Sequence, residues 1–345
     1  MSAASSVASV ARAGHPPTHP ALLVSSTPLL QWTTPAVGGE LVQGMYRGRW
    51  LHVAAPIDRF RWAVALADGA ESEHSAWTTR VLEPARDRRS WRKVRAGLAH
   101  VASRRDVPPI RVALGGAVLS RGVGMGSSTA DLAVATAALS DALGDPSPSE
   151  TAVDACLEVE PTNGSVLTGL VLFDHREGTI REPLGEPPPA ELVLVQPPGL
   201  VDTESFNRRL PRRVSAEVLD GWRRAFELCA AGIESGDLHA LARAATSSAK
   251  LATHLGATPT PEAVERCAEA TGALGWLRAH SGTVWSLIYP IGGAPDASEI
   301  LEIWGGAPPP EQVSNVRLVR GGIGSSPALP SPCDAVILPP HIRGG

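Results

Sequence analysis

No stretch of the chain approaches the ~18 consecutive apolar residues that a bilayer-spanning helix needs, which argues against a membrane protein. A dominant sign of charge is also missing. The 31 Lys and Arg against 35 Asp and Glu leave a net charge of −4, with a pI near 6.2. The general attraction that draws a protein to nucleic acid or an anionic membrane is therefore absent. Cysteine is rare: Cys156, Cys229, Cys267 and Cys333 form no Cys-x-x-Cys pair and no Cys/His cluster with zinc spacing. They read as reduced thiols of a cytoplasmic protein. The first thirty residues lack a basic start followed by an unbroken apolar core, which argues against a secretory signal. Aromatic residues are 4% of the chain, with nine Trp against two Tyr, and are read as core. What is plentiful is ordinary packing material. Hydrophobic residues are 43% and charged residues 19% of 345, enough for two modest domains or one large one.

The most informative segment is Gly122-Val-Gly-Met-Gly-Ser-Ser-Thr-Ala130. An apolar run, Ile110 to Leu119, precedes it, and an alanine-rich run, Asp131 to Leu143, follows it and reads as a helix stopped by Gly144 and Pro146. Glycines between a strand and a helix let backbone N–H groups turn toward an anion, and the helix N-terminus adds the positive end of its dipole. The hydroxyls of Ser127, Ser128 and Thr129 can donate to phosphate or ligate Mg²⁺. No lysine follows the last glycine, so this is a phosphate cradle of another kind than Gly-x-x-x-x-Gly-Lys-Ser/Thr. Read alone, such a run is also compatible with a flexible turn.

The segment resembles the second motif of the GHMP kinases, the small-molecule kinases named for galactose, homoserine, mevalonate and phosphomevalonate. Further blocks in register resemble the L-threonine kinase branch of that family: Gly39-Glu40-Leu41-Val42-Gln43-Gly44, Glu158-Val159-Glu160-Pro161-Thr162-Asn163 and Leu172-Phe173-Asp174-His175. Asp202-Thr203-Glu204-Ser205-Phe206-Asn207 and His280-Ser281-Gly282-Thr283-Val284 complete the set. The resemblance runs from about Thr33 to Gly322. It implies an α+β GHMP kinase fold, with an N-terminal ribosomal-S5-like domain, a C-terminal ferredoxin-like domain and the active site between them. It also implies an ATP-dependent kinase acting on the side-chain hydroxyl of L-threonine or a related hydroxy amino acid, with Mg²⁺.

Phosphoryl transfer needs a cradle, a metal and a positioned nucleophile. The cradle comprises Gly122, Gly124, Met125, Gly126, Ser127, Ser128 and Thr129. Ser120 stands where many family members carry proline. Mg²⁺ prefers oxygen ligands; Ser128 is the expected hydroxyl and Glu160 the expected carboxylate, with Glu158 the rival, read as a solvated helix face. Asn163 departs from the branch's usual Glu-Pro-Thr-Asp. An asparagine orients a hydroxyl but accepts no proton at neutral pH. In a loose transition state positioning outweighs the base, and homoserine kinases work without that aspartate; Asp131 or Asp174 is a possible substitute. Asn163-Gly164 also reads as a plain turn dipeptide. For an amino-acid substrate, Glu40, Asp58 and Asp202 are candidates for the ammonium. Arg59 and the Ser281-Gly282-Thr283 turn are candidates for the carboxylate. Two other readings stay open: a GHMP-fold protein that binds nucleotide or amino acid but has lost catalysis at Asn163, and a same-fold enzyme acting on a natural-product intermediate or coupling phosphorylation to decarboxylation.

Along the chain, the expected organisation is a disordered leader (1–28), a nucleotide-binding domain (29–205), a second domain (206–324) and a Pro-rich tail (325–345), loose or docked only locally. Strands are expected at Leu51–Ile57, Arg61–Ala67, Val166–Phe173, Thr179–Leu184, Leu192–Gln196, Gly275–His280, Thr283–Tyr289 and Asn315–Val319. Helices are expected at Ser90–Ser103, Ser149–Glu160, Ser215–Ser235, Asp237–Thr253, Pro261–Thr271 and Ala297–Trp304. Such mixing without regular βαβ alternation argues α+β.

Overall fold

The computed structural model describes residues 30–67, 88–103, 110–201, 203–211, 213–257, 261–305, 308–327 and 336–338. The expected leader, Asp202, Cys333 and most of the tail lie outside them. Strands β1 (Leu30–Tyr46) and β2 (Arg49–Ala67) form a long antiparallel pair. The two strands expected at Leu51–Ile57 and Arg61–Ala67 are thus one. Pairing with β1 carries the backbone through Asp58 and Arg59, and a register shift between Pro35 and Ala36 absorbs the irregularity.

Helix α1 (Arg88–Ala102) buries Val94, Leu98 and Val101 as one stripe. Strand β3 (Ile110–Gly116) enters the glycine loop, and α2 (Ser127–Ala142) leaves it. Residues Thr129 to Ser140 of α2 are all buried, which explains its composition: a helix covered on every side is apolar or small all round. Helix α3 (Pro148–Val159) packs beside it, in a core with Leu98, Leu132, Val153 and Cys156.

Strands β4 (Leu170–Asp174) and β5 (Arg181–Gly185) make the expected hairpin. The strand starts later than Val166. Residues Gly164–Val166 form a turn of 3-10 helix, because the Asn163 side chain accepts the Ser165 N–H and caps it.

Strand β6 (Glu191–Gln196) is followed by α4 (Thr203–Arg208), α5 (Ala216–Ser235) and α6 (Leu238–Leu251). Ser215 and Asp237 cap α5 and α6 at their N-termini, and Gly236 ends α5. Then come α7 (Glu262–Thr271), β7 (Gly275–Arg278), β8 (Trp285–Tyr289), α8 (Ala297–Trp304) and β9 (Gln312–Arg317). The last strands are β10 (Gly324–Pro327) and β11 (Val336–Leu338).

The described strands join one sheet in the order β11-β3-β2-β1-β7-β8-β6-β9, with β10 added on β1, β4 on β2 and β5 on β4. Every pairing is antiparallel. The tail is docked at Gly324–Pro327 against β1 and at Val336–Leu338 against β3. Helices α5 and α6 set Trp222, Phe226 and Leu241 on Leu41 and Val42. Helices α7 and α8 set Val264, Cys267, Ile300 and Trp304 on Val193, Trp285 and Tyr289. This is the expected α+β architecture. Among the described residues no helix is long and apolar enough to cross a membrane.

Candidate active site

The glycine loop is held from behind. Val37 N–H donates to Met125 O (3.1 Å), Val201 N–H to Gly122 O (2.8 Å), and Thr283 and Val284 N–H to Val123 O (2.9 and 3.1 Å). With these carbonyls fixed on the strand side, the unpaired N–H groups of the first turn of α2 open on the other side. Gly124 and Gly126 are required here. Both have positive φ (94° and 68°), and a Cβ would stand 2.3 Å from Ala279 Cβ at the first and 2.6 Å from Asn163 Nδ2 at the second.

A cavity of about 110 Å³ opens in front of the loop, room for several waters or one small polar molecule. Its upper wall is Gly122, Gly124, Met125, Gly126, Ser127, Ser128 and Thr129, and a side wall runs from Glu160 to Asn163. Its floor contains Glu40, His52, His175, Asn207, His280 and Ser281. The structure therefore brings the expected cradle, Glu160, Asn163, Glu40 and Ser281 to one place.

Other expected residues stand elsewhere. Asp58 is not at the cavity. Its Oδ1 accepts the Arg317 N–H (3.1 Å) and pairs with Arg59 (3.5 Å), because this part of β2 faces the β9 segment. Arg59 spends its guanidinium on the carbonyls of Asp58 and Asn315. Gly282 and Thr283 do not line the cavity either. A Cβ on Gly282 would lie 1.9 Å from Val123 O, so this turn presses on the back of the loop. Glu158 is exposed, as expected of a solvated helix face.

At the loop end, Ser128 Oγ is buried without a hydrogen-bond partner. Glu160 is buried, and its carboxylate meets Lys93 Nζ of α1 (2.5 Å) and the Thr129 hydroxyl (3.5 Å). An orphaned hydroxyl and a buried carboxylate, here paired with Lys93, line the same cavity and are oxygen donors of the kind Mg²⁺ takes. Neither possible substitute for a missing aspartate is free. Asp131 is held by Arg61 (2.6 Å) and Arg121 (3.3 Å). Asp174 closes its hairpin turn by accepting from Thr179 Oγ1 (2.5 Å) and from the N–H groups of Arg176 and Glu177, bonds that hold its carboxyl below the usual range despite burial.

The floor is a buried polar cluster. The His52 and His175 rings stack at 4.9 Å, and His280 meets His175 edge-on at 4.8 Å. His52 Nε2 accepts the Gly164 N–H (3.2 Å), so in the neutral ring Nδ1 carries the hydrogen and faces Glu40 Oε2 at 3.6 Å. Asn207 Oδ1 lies 3.3 Å from His175 Nε2 and 3.2 Å from His280 Nε2. Burial pushes the Glu40 carboxyl up to about 8. Burial first, and mutual proximity second, hold His52 and His280 well below the usual imidazole value, and burial brings His175 down to about 4. Among the described residues no His/Cys/Asp/Glu group is arranged to hold a metal ion.

His52, Asn207, His280 and Lys93 were not singled out by the sequence reading, and neither was His175 as a functional side chain. Asn207, His175 and His280 lie inside the family-like blocks, which were the available signal; His52 and Lys93 had none.

Comparison with known proteins agrees with this geometry. The family model "GHMP kinases N terminal domain" matches residues 91–171. The chain is 30% identical over 263 residues to an L-threonine kinase of Salmonella typhimurium, a match spanning 74% of this chain and 81% of the relative. It is 27% identical over 259 residues to an L-threonine kinase of Citrobacter freundii, spanning 74% and 84%. The fold matches homoserine kinase from Cytophaga hutchinsonii with a TM-score of 0.60 at 16% identity, over 88% of this chain and 98% of that one. It matches Lactococcus lactis galactokinase complexed with galactose with a TM-score of 0.58 at 13% identity, over 89% and 97%. The chain belongs to the GHMP kinase family and is a small-molecule kinase.

Proposed function

We propose that this kinase transfers the γ-phosphoryl group of ATP to the side-chain hydroxyl of L-threonine or a close relative, in the cytoplasm and with Mg²⁺. The observation that carries the reading is the single cavity in which the glycine loop faces a buried floor bearing Glu40. The loop and the α2 N-terminus would hold the nucleotide phosphates through backbone N–H groups. Ser128 and Glu160 would hold the metal, which supplies charge neutralisation to the phosphates when bound. The acceptor oxygen forms its bond to the γ-phosphorus as the bond to the β-phosphate bridging oxygen breaks, and ADP leaves. The hydroxyl proton leaves late, to an oxygen of the transferred phosphoryl group and then to water, so placement by Asn163 and the floor matters more than a strong base. The names of the two L-threonine kinases to which the chain is similar support threonine as the acceptor.

The test is ATP consumption with Mg²⁺ across L-threonine, L-serine, L-homoserine and their D-forms, with the product mass. A phosphorylated L-amino acid establishes the acceptor class. Nucleotide binding without transfer to any of them overturns the reading in favour of a silent binder or a different acceptor.

A further inference from the structure

We propose, resting on the hydroxy-amino-acid reading, that the cavity floor is a receptor for a zwitterion, neutral when empty and charged in matching pairs when filled. Glu40 receives the α-ammonium as carboxylate. His280 becomes an imidazolium and supplies the counter-charge of the α-carboxylate beside Ser281.

Four observations carry this. First, Glu40 Oε2 is buried, lines the cavity and has no hydrogen-bond partner. His52 Nδ1 stands 3.6 Å from it, beyond hydrogen-bond length. Second, His280 already has a side-chain oxygen at each ring nitrogen: Gln43 Oε1 at 2.7 Å from Nδ1 and Asn207 Oδ1 at 3.2 Å from Nε2. A neutral imidazole donates from one nitrogen only, whereas an imidazolium satisfies both. Third, among the described residues lining the cavity there is no Arg or Lys, so of these residues the imidazoles are the groups that can become a cation for a substrate carboxylate. Fourth, the rings stack face to face and edge to face, and the two ring nitrogens that converge, His175 Nε2 and His280 Nε2, meet on the amide oxygen of Asn207 and not around a metal position.

The other charged groups nearby come from every adjoining element. Arg278 of β7 pairs with Glu40 across the strands but stacks on Trp285. Asp174 and Arg176 flank His175 in the β4–β5 turn, and His52 reaches in from β2. Burial raises the Glu40 carboxyl to about 8 and holds His280 well below the usual imidazole value, which favours the neutral form of both in the empty floor near pH 7.

On binding, the proton leaves Glu40 and one proton arrives at His280, so a zwitterion enters with no net exchange. A ligand with one charge breaks the balance. An amine without the carboxylate must expel one proton, and a hydroxy acid without the amine must take one up.

Calorimetry of the full-length protein near pH 7, in two buffers of different ionisation enthalpy, reads these stoichiometries directly. The expected values are zero for L-threonine, one proton released for 1-amino-2-propanol and one taken up for 3-hydroxybutyrate. Glu40→Gln should weaken L-threonine and the amine at least tenfold and leave 3-hydroxybutyrate unchanged. Net release of a proton with L-threonine, equal affinity of Glu40→Gln for L-threonine, or no binding of L-threonine overturns the proposal; the wild-type stoichiometry needs no variant that must fold. Because binding is read without turnover, a zwitterion that binds with no net proton but is never phosphorylated leaves the receptor standing and removes the kinase acceptor assignment instead.

Discussion

Asn163 stands where the related pattern places an aspartate, and its amide has a structural task there. Its Oδ1 accepts the Ser165 N–H (3.0 Å) and the Ser165 hydroxyl, while Nδ2 faces Gly126 at the loop. An aspartate could keep the cap with one oxygen, but the other would put negative charge beside the phosphate cradle. Because positioning dominates a loose transition state, Asn163→Asp should change kcat by less than about tenfold, short of the ~10²–10⁴ that a needed general base supplies. A gain of a hundredfold in steady-state assays would show that the native site is attenuated for want of a base. Ser128 and Glu160 are different, since on the proposed reading they would hold the metal that neutralises phosphate charge. Ser128→Ala and Glu160→Gln should each lower kcat on the order of 10²-fold, the scale of losing one preorganised charge-stabilising group. Unchanged rates at saturating ATP and Mg²⁺ would sink both assignments.

The glycine loop depends on an element far away in sequence. Between β7 and β8, Gly282 lies so close to Val123 O that a Cβ would be 1.9 Å from it, and the next two N–H groups bind that same oxygen. Gly282→Ala must therefore push the turn off the loop, at an overpacking cost of about 1–3 kcal/mol. The expected result is at least tenfold weaker binding of a fluorescent ATP analogue with the fold retained by circular dichroism; unchanged affinity would mean the loop stands without its clamp. This coupling was not legible in the sequence, although both partners were. Strand, glycines and alanine-rich helix announced the loop locally, and α8 was bounded at Ala297–Trp304 because Gly305 ends it. The continuity of β2 was hidden because Asp58 and Arg59 look like a break until β1 pairs past them. The floor was hidden for the same reason on a larger scale. His52, His175, Asn207 and His280 sit on β2, a hairpin turn, α4 and the end of β7, and each is a lone polar residue until the sheet assembles them.

That assembly gives the whole molecule a characteristic response to pH in the absence of ligands. Three imidazoles with depressed values prefer to be neutral when folded, so they stabilise the fold above the unfolded value of about 6.5, and this is lost as pH falls toward 4. Glu40 acts oppositely: its value is raised from 4.5 to about 8, so its stabilising effect is complete at low pH and is lost as pH rises between those limits. Between roughly pH 4.5 and 6.5 the unfolded chain binds more protons at these sites, by three imidazoles against one carboxyl, and stability should climb. Above pH 6.5 only Glu40 remains, and stability should decline by about 1.4 kcal/mol per unit until pH 8. Urea unfolding from pH 5 to 8.5 should thus show a maximum near 6.5. Glu40→Gln removes the group responsible for the descending limb and should leave a plateau; saturating 1-amino-2-propanol, which expels the Glu40 proton, should flatten the same limb in wild type, whereas L-threonine, which exchanges no net proton, should raise the curve without changing its slope. A wild-type profile still rising through pH 8 would mean that Glu40 is ionised in the empty floor, and the neutral state of that floor would fall with it.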